Sequence, residues 1–463
     1  MDDYGQALVL DAVTVLCCVG LLLRFGDLRF SHPATPYIAF HLHTVTSRLA
    51  GLMQGASPLY SQMPGWFEPV TVDEIVRAAL YCDMAFWSVT IVWIMVNYAP
   101  RRGATFRADA LKLDPRILRP VLFVAFIIGV IGLRVAAGIP GLPQFEGIDA
   151  SNPWATSSYL YILPAWSGLA LLGYGYYFGF SRLTGFLLAA YLVLMSIQGG
   201  MRYRAIIGLL MAVQIWVDRR DRRWPSRSMA IGLAAAALLF FPMKTIGAMA
   251  QRGTNLDEIS QELSKSVTEV SEGAAPDHMF LDEFASALTL MDLQGKKYFG
   301  SMYLPILTLP IPRALWPDKP GLAGFLADIS TSHRPMAVSG MITTYLGESY
   351  ANFGLAGIFL VPPLLALFLA AFYRRAYATP RDSVIRFSYV LLSVNLIQVY
   401  RDGLISIVVF TFVNMMPLAV VVLAHIGYSK LLKRRAIGLD NPTTSSASPI
   451  DGDLAPLPRD VPS

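Results

Sequence analysis

Long apolar runs recur along most of the chain. A helix that crosses a bilayer needs about 20 largely apolar residues, and eleven runs approach that length. They lie near residues 6–24, 36–54, 75–98, 118–137, 157–180, 183–200, 203–217, 228–249, 354–373, 383–400 and 404–427. This pattern predicts an all-α polytopic membrane protein with about eleven transmembrane helices.

The runs divide the chain into four parts. Residues 1–249 hold the first eight predicted helices, and residues 354–428 hold the last three. Between them, residues 250–353 form a single large loop outside the membrane. Residues 429–463 form a tail that becomes rich in Pro, Ser, Asp and Thr and lacks the apolar residues needed to pack, which predicts disorder.

The large loop has helical patterns of its own. Apolar residues recur at helical spacing over 259–270 and again over 280–291, which predicts two amphipathic helices. The apolar stretch 303–320 contains five prolines, so it cannot form one continuous helix and should lie on the membrane surface or dip into the protein. Residues 341–352 predict a short helix that leads into the next span.

The basic residues of the short loops predict the orientation. Lys and Arg are frequent in the segments 99–117, 218–227 and 374–382 and at the start of the tail, and they are absent from the loops 55–74 and 138–156. Cytoplasmic loops of membrane proteins carry the excess of Lys and Arg. With eleven spans the N-terminus is therefore expected outside the cytoplasm and the C-terminus inside it.

Composition narrows the class of protein further. Hydrophobic residues make up 54% of the chain and charged residues only 15%, and the mean hydropathy is +0.49. A soluble domain carries roughly 25% charged residues, so a soluble enzyme is excluded. The net charge of +5 is too small and too scattered for a nucleic-acid binder. The three cysteines suggest no disulfide framework.

Several ionisable residues fall at the predicted outer ends of the spans or in the large loop, where cations should be scarce. Such groups are costly near a membrane and are usually functional. One interpretation is local pairing or snorkelling, for example of Arg401 with Asp402. The other is a shared cavity for a polyanion, because guanidinium groups bind phosphate oxygens bidentately. The set comprises Arg134, Arg202, Arg204, Lys244, Arg252, Arg313, Lys319, Arg334, Glu348 and Arg401.

Glu348 is the best-placed carboxylate for acid–base chemistry. Tyr345, Glu348 and Asn352 share one face of the short helix. Glu348 is either a general base for a sugar hydroxyl or a counter-ion for a nearby arginine. Weaker candidates for the base are His278, Asp318 and His333.

No cofactor is predicted. The large loop has no Asp-x-Asp pair, and His41 and His43 point to opposite sides of a helix, so a joint metal site of these two histidines is not expected.

Four motifs resemble those of the Wzy-type polymerases, the bacterial membrane enzymes that join O-antigen and exopolysaccharide repeat units. The motifs are Ser-His-Pro at 31–33, Gly-Gly-Met-Arg-Tyr-Arg at 199–204, Ile-Pro-Arg-Ala-Leu-Trp-Pro-Asp-Lys-Pro at 311–320 and the stretch 344–357. The resemblance implies a GT-C-like fold in the inner membrane with a periplasmic N-terminus. It also implies inverting, metal-independent block transfer of a glycan from undecaprenyl diphosphate.

The resemblance also assigns roles to residues. Glu348, Arg313 and Arg204 are expected to be catalytic. The diphosphate would be bound by Arg202, Arg204, Arg313, Lys319 and Arg401. Arg134 is added to this set because of its position near the end of the fourth predicted span. The glycan would be bound by Trp316, Tyr345, Tyr350 and His333. Membrane lipids and a chain-length regulator protein are possible partners, and no nucleic acid is expected.

Other functions remain open at this point. An O-antigen ligase would use the same diphosphate chemistry with a different acceptor. A polysaccharide or lipid transporter would show matching halves with broken helices, and no such repeat is visible. A membrane acyltransferase would need a catalytic histidine within the membrane, for which His41 is a candidate.

Overall fold

The computed structural model describes residues 3–59, 68–98, 113–137, 163–197, 202–236, 280–308, 344–404 and 415–439, together with isolated positions between these ranges. Within them all regular structure is helical and no strand occurs, so the all-helical prediction is confirmed for this part of the chain. The following predicted regions lie wholly or largely outside it: the loops 99–117 and 138–156, the amphipathic helix at 259–270, most of 309–343, and the end of the tail.

Fourteen α-helices of the described residues are numbered in chain order. They are α1 (Asp3–Phe25), α2 (Ala34–His41), α3 (Ser47–Met53), α4 (Val72–Tyr98), α5 (Pro115–Ala137), α6 (Leu163–Phe178), α7 (Arg182–Ile197), α8 (Arg202–Arg219), α9 (Phe280–Gln294), α10 (Leu304–Thr308), α11 (Tyr345–Phe353), α12 (Leu355–Tyr377), α13 (Val384–Asp402) and α14 (Met416–Leu439). A further helical stretch covers 227–236.

Four of the described helices are long and apolar enough to cross a membrane. They are α1, α4, residues Pro115–Leu133 of α5, and α12. Shorter apolar helices cover Arg182–Met195 and Met416–Tyr428. Large apolar side chains such as Leu16 and Phe186 lie 72% and 70% exposed, as expected for helices that face lipid rather than water. The chain is therefore a membrane protein by its helices, and the count of eleven spans stays a prediction.

The second predicted span is not one regular helix. Residues 36–54 were expected to form a single helix, but α2 and α3 are joined by a π-helical segment at Leu42–Thr46. Of the last predicted span, at 404–427, the structure describes helix α14 from Met416 onward, and most of residues 405–414 lie outside the described residues. The helix predicted over 280–291 is α9, and it is buried on nearly every side rather than lying at a surface.

The buried apolar side chains form two main groups. The first group contains side chains from the four helices α1–α4 and from α9, α11 and α12. The second contains side chains from the four helices α5–α8 and from α14. Helix α13 belongs to both, because Phe387 and Val390 pack in the second group and Leu396 and Val399 in the first. Its two ends are thereby fixed against opposite halves of the bundle.

Several basic segments meet at one end of the bundle, called here the basic end. The backbone N–H of Phe30 donates to the carbonyl of Arg223 at 2.9 Å, and Arg381 pairs with Asp221 at 2.8 Å. Arg374 donates to the carbonyl of Val96 near the end of α4. The segments that follow α1, α8 and α12 therefore share the basic end with the end of α4.

Candidate functional site at the end of α13

Helix α11 is a short helix held firmly at both ends. Thr344 Oγ1 accepts a hydrogen bond from Gly347 N at 3.2 Å and caps its start. Gly354 ends it with a φ of +63°, in the region that favours glycine. A Cβ on Gly357 would lie 2.0 Å from the carbonyl oxygen of Ser349, so α12 can pack this closely on α11 only with glycine there. The position of Glu348 is therefore well defined.

Glu348 is buried against the turn that follows α13. Its side chain is 1% exposed, and its Oε2 accepts a hydrogen bond from Leu404 N at 2.8 Å. Gly403 has a φ of +86°, and a Cβ there would lie 2.0 Å from Glu348 Oε1. The glycine thus lets the backbone approach the carboxyl group closely.

The surroundings raise the pKa of this carboxyl group well above that of an exposed glutamate. Removal from water raises the pKa of Glu348 to about 8, and the Leu404 N–H partly offsets this. The neighbouring Asp402 carboxylate raises the pKa of Glu348 further. Among the ion pairs of the described residues none includes Glu348, so no counter-ion for it is seen there.

Arg401 lies on the last turn of α13, next to this site. Its Nε is 3.3 Å from Asp402 Oδ1, and its guanidinium lies over the ring of Phe280 with 5.2 Å to the centroid. One third of the Arg401 side chain is exposed, and the Nε makes no hydrogen bond. The second oxygen of Asp402 accepts from Gln398. The loose pairing leaves the Arg401 guanidinium able to bind an anion.

Arg202 and Arg204, two further cations of the predicted site, lie at the same level of the bundle as Arg401. Arg386 pairs with Asp218 at 2.5 Å and Gln214 donates to Ser393 at 2.8 Å, so α8 and α13 run antiparallel. From these contacts, Arg204 lies about 15 Å along α8 and Arg401 about 12 Å along α13. The first turn of α8, with Arg202 and Arg204, is therefore level with the last turn of α13.

Arg134 is in the last turn of α5. This helix runs antiparallel to α6, since Gly129 approaches Ser167 and Gly132 approaches Leu163. Just before α5, Asp114 N donates to His425 Nδ1 of α14 at 3.3 Å, which joins the start of α5 to α14.

Buried tyrosines fix α11 against neighbouring helices. The hydroxyl of Tyr345 donates to that of Tyr37 at 2.9 Å, and the rings of Tyr37 and Tyr400 lie 5.0 Å apart. Tyr345 is 1% exposed. Tyr345, predicted to contact the glycan, thus lies in the core, where it fixes α11 against α2 and α13.

Tyr350 and Trp316 are more accessible. The Tyr350 hydroxyl donates to Asp292 Oδ1 at 2.5 Å, and the other oxygen of Asp292 accepts from Arg77 at 2.7 Å. Trp316 is 41% exposed. The Trp316 ring is thus open to contact with a bound sugar, whereas the Tyr350 ring is partly buried and lies 6.0 Å from that of Tyr81.

The remaining predicted site residues lie outside the described residues. These are Arg313, Lys319 and His333, with the weaker candidates Lys244, Arg252, His278, Asp318 and Arg334. For Arg134, Arg202 and Arg204 the helix positions are described, but the side chains are not.

One buried ion pair was missed by the sequence analysis. Arg48 donates to Asp282 through Nε at 2.8 Å and through Nη2 at 2.7 Å, and both side chains are fully buried. Asp282 also accepts from Leu59 N at 2.9 Å. An arginine inside an apolar run requires a partner, which could have drawn attention to Arg48, but not to Asp282.

The Ser31-His32-Pro33 motif lies at the basic end, away from Glu348. His32 Nδ1 accepts from Ala34 N at 3.1 Å, and burial lowers the pKa of His32 to about 3. The Tyr389 hydroxyl donates to the carbonyl of Ser31 at 2.7 Å. A neutral, buried histidine at the start of α2 indicates a structural role.

In comparisons with protein-family models, with curated proteins and with solved structures, none matches this chain.

Proposed function

We propose that the chain is a membrane glycosyltransferase that polymerises undecaprenyl-diphosphate-linked oligosaccharide repeat units at the periplasmic face of the bacterial inner membrane. The observation that carries the proposal is the buried Glu348 carboxyl beside Arg401. This pair lies where the large loop re-enters the bundle. The resemblance of residues 199–204, 311–320 and 344–357 to the Wzy-type polymerases supports the same function.

In the proposed reaction Glu348 is the general base. With a pKa of about 8, a minor fraction of Glu348 is ionised at neutral pH, and this fraction is the active form. Its carboxylate takes the proton from the acceptor sugar hydroxyl as that oxygen bonds to the anomeric carbon of the growing glycan. The bond from the anomeric carbon to the diphosphate oxygen breaks on the opposite side, so the configuration inverts. Undecaprenyl diphosphate leaves with the electron pair.

The arginines would stabilise that departure. Negative charge grows on the diphosphate as the bond breaks, and fixed guanidinium groups stabilise it most where water is excluded. We assign this role to Arg401, with Arg202 and Arg204 on α8, and to Arg313 and Lys319 of the large loop; Arg134 is a further candidate. In this scheme guanidinium groups carry out charge stabilisation that a divalent metal supplies in other transferases, so no cofactor is included.

The glycan would lie along the exposed aromatic residues. Trp316 is 41% exposed, Tyr350 lies on α11, and His333 belongs to the same loop as Trp316 in sequence. A chain-length regulator protein is a possible partner for such an enzyme.

The test is Glu348→Gln in cells that lack the native copy, followed by a glycan gel. Glutamine has nearly the same shape as glutamate and cannot take a proton, so we expect long polymer to disappear while single repeat units remain and the protein level is unchanged. Glu74→Gln is the matched control, because Glu74 is a partly exposed carboxylate at the start of α4 and its contact with Thr71 N can be kept by glutamine.

Other outcomes distinguish the alternatives. A normal polymer ladder in Glu348→Gln would exclude Glu348 as the base. Long polymer that stays on the lipid carrier in the deletion strain would indicate a ligase. Repeat units that accumulate on the cytoplasmic side would indicate a transporter.

A further inference from the structure

Three ionisable side chains meet inside the helical bundle, away from Glu348. Asp11 on α1, His41 at the end of α2 and Asp83 on α4 are 0%, 3% and 4% exposed. They come from three helices that pack together in the first core group. None of these side chains belongs to the proposed transfer reaction.

The donor atoms of this cluster converge. His41 Nε2 lies 2.8 Å from Asp11 Oδ1 and 3.5 Å from Asp83 Oδ1. One ligand atom from each residue lies within 4.8 Å of the other two. Such a set of one imidazole nitrogen and two carboxylate oxygens is typical of divalent metal sites with nitrogen and oxygen ligands.

The cluster contains two carboxylate oxygens that accept no hydrogen bond. Asp11 Oδ2 and Asp83 Oδ1 are buried and accept no hydrogen bond. The neighbouring residues Cys18, Cys82 and Phe86 are buried as well. A carboxylate oxygen in such surroundings is costly unless something compensates its charge. A bound cation would supply the interaction that both carboxylates lack.

The backbone is irregular at the same place. The π-helical segment Leu42–Thr46 begins directly after His41. Segments of this kind inside α-helices are found frequently at functional sites. Here the change of helical register follows the residue that faces the two carboxylates.

We propose that Asp11, His41 and Asp83 form a buried binding site for one divalent cation of the zinc type. Two carboxylates neutralise the charge of the ion. Bonds of about 2.0–2.2 Å place tetrahedral ligand atoms roughly 3.3–3.6 Å apart. His41 Nε2 and Asp83 Oδ1, at 3.5 Å, already have this spacing, and Asp11 Oδ1, at 2.8 Å from His41 Nε2, must move away from it slightly. His41 gives up the proton on Nε2 when the ion binds. The bound ion links α1, α2 and α4.

The spacing of His41 and His43 gave no expectation of a metal site shared by these two histidines. The partners of His41 are instead carboxylates from other helices, 30 and 42 positions away in the chain. This contact could not be read from local spacing.

The test measures zinc binding by the purified full chain in detergent micelles. The protein is stripped with EDTA and dialysed against Zn²⁺ alone, and bound zinc is counted by mass spectrometry. We expect one zinc per chain, a melting temperature that rises with zinc concentration, and weaker binding at lower pH because protons compete. Wild-type protein that takes up no stoichiometric zinc would overturn the proposal, and would indicate that the cluster shares a proton.

Variants locate the site. We expect His41→Ala and Asp83→Asn to weaken zinc binding at least tenfold, whereas the matched control His43→Ala, two residues along the same segment, keeps it. Size-exclusion profiles and helix content report whether each variant is folded. Unchanged zinc binding in folded His41→Ala or Asp83→Asn would place the ion elsewhere and contradict the assignment.

Discussion

At the scale of single residues, the burial of Glu348 ties the stability of the fold to pH. The pKa of this carboxyl rises from 4.5 to about 8 on folding, so between these values the folded chain binds a proton that the unfolded chain releases. The group stabilises the fold fully below pH 4.5 and progressively less as the pH rises to about 8. At about 1.4 kcal/mol per pKa unit, the loss is on the order of 3–5 kcal/mol.

Glutamine at position 348 does not titrate, so Glu348→Gln should abolish this pH-dependent loss of stability. In detergent we expect the melting temperature of the wild type to fall relative to that of Glu348→Gln between pH 5 and pH 8. Above pH 8 the two curves of melting temperature against pH should run parallel. Glu74→Gln serves as control and should follow the wild type at every pH. If the curves of wild type and Glu348→Gln run parallel over the whole range, the carboxyl is ionised in the folded protein.

The sequence allowed Glu348 to be chosen but not its partners to be predicted. An acidic residue just before an apolar run is visible in the sequence, because it interrupts the hydrophobic pattern. The contact with Leu404 N joins residues 56 positions apart, and its requirement for glycine at 403 follows from a backbone approach that no local pattern encodes. The same holds for Asp402, which was considered only as a partner of Arg401.

At the scale of elements, the apolar runs predicted most helices where the structure has them, because a helix of about 20 apolar residues leaves a strong pattern. The break in the second span was not predictable in this way. Residues 41–46 read His-Leu-His-Thr-Val-Thr, which contains neither proline nor glycine. Helix α9 was read as amphipathic, and its burial depends on helices distant in sequence.

Helix α9 is fixed to α3 by the ion pair of Arg48 and Asp282, and removal of one partner should be costly. Arg48→Met leaves the Asp282 carboxylate buried without its cation, which destabilises a protein by about 3–5 kcal/mol. We expect a matching fall in the free energy of unfolding, measured by denaturant titration in micelles. Arg48→Met with Asp282→Leu should recover much of it, although Leu59 N and the carbonyl of Ser57 lose their partners.

The matched control for this prediction is the pair of Arg77 and Asp292, which joins α4 to the same helix α9. Its N–O distance is also 2.7 Å, but its side chains are 34% and 43% exposed. Exposed pairs contribute about 0–1 kcal/mol, so Arg77→Met should change stability little. Equal losses in Arg48→Met and Arg77→Met would show that burial does not decide the strength of the α9 contacts.

At the scale of the whole molecule, the contacts group segments that the sequence could only assign by counting spans. Parity of the span count put the basic loops on one side, and one missed span would have reversed some of them. The contacts of Phe30 with Arg223 and of Arg381 with Asp221 join these segments at the basic end directly. Which helices pack together could not be predicted, since it depends on contacts hundreds of residues apart.

The shared basic end leads to a prediction about orientation. Lys and Arg are retained on the cytoplasmic side, so we expect the basic end to face the cytoplasm and the Glu348 end the periplasm. In a background with Cys17, Cys18 and Cys82 replaced by serine, two exposed serines become reporters. Ser301→Cys, whose segment contacts α11 through Tyr298 N and the Ala351 carbonyl, should react with an impermeant maleimide at the outer surface of the inner membrane.

Ser228→Cys, just beyond the Arg219–Arg227 segment, should react with the same reagent only after the inner membrane is permeabilised. The opposite result would mean that the Glu348 end of the bundle faces the cytoplasm, where Glu348 could not reach lipid-linked substrate in the periplasm. Equal labelling of both positions before permeabilisation would mean that the two ends of the bundle are not separated by a membrane. The grouping of charges at one end of the structure would then have to be explained by something other than insertion.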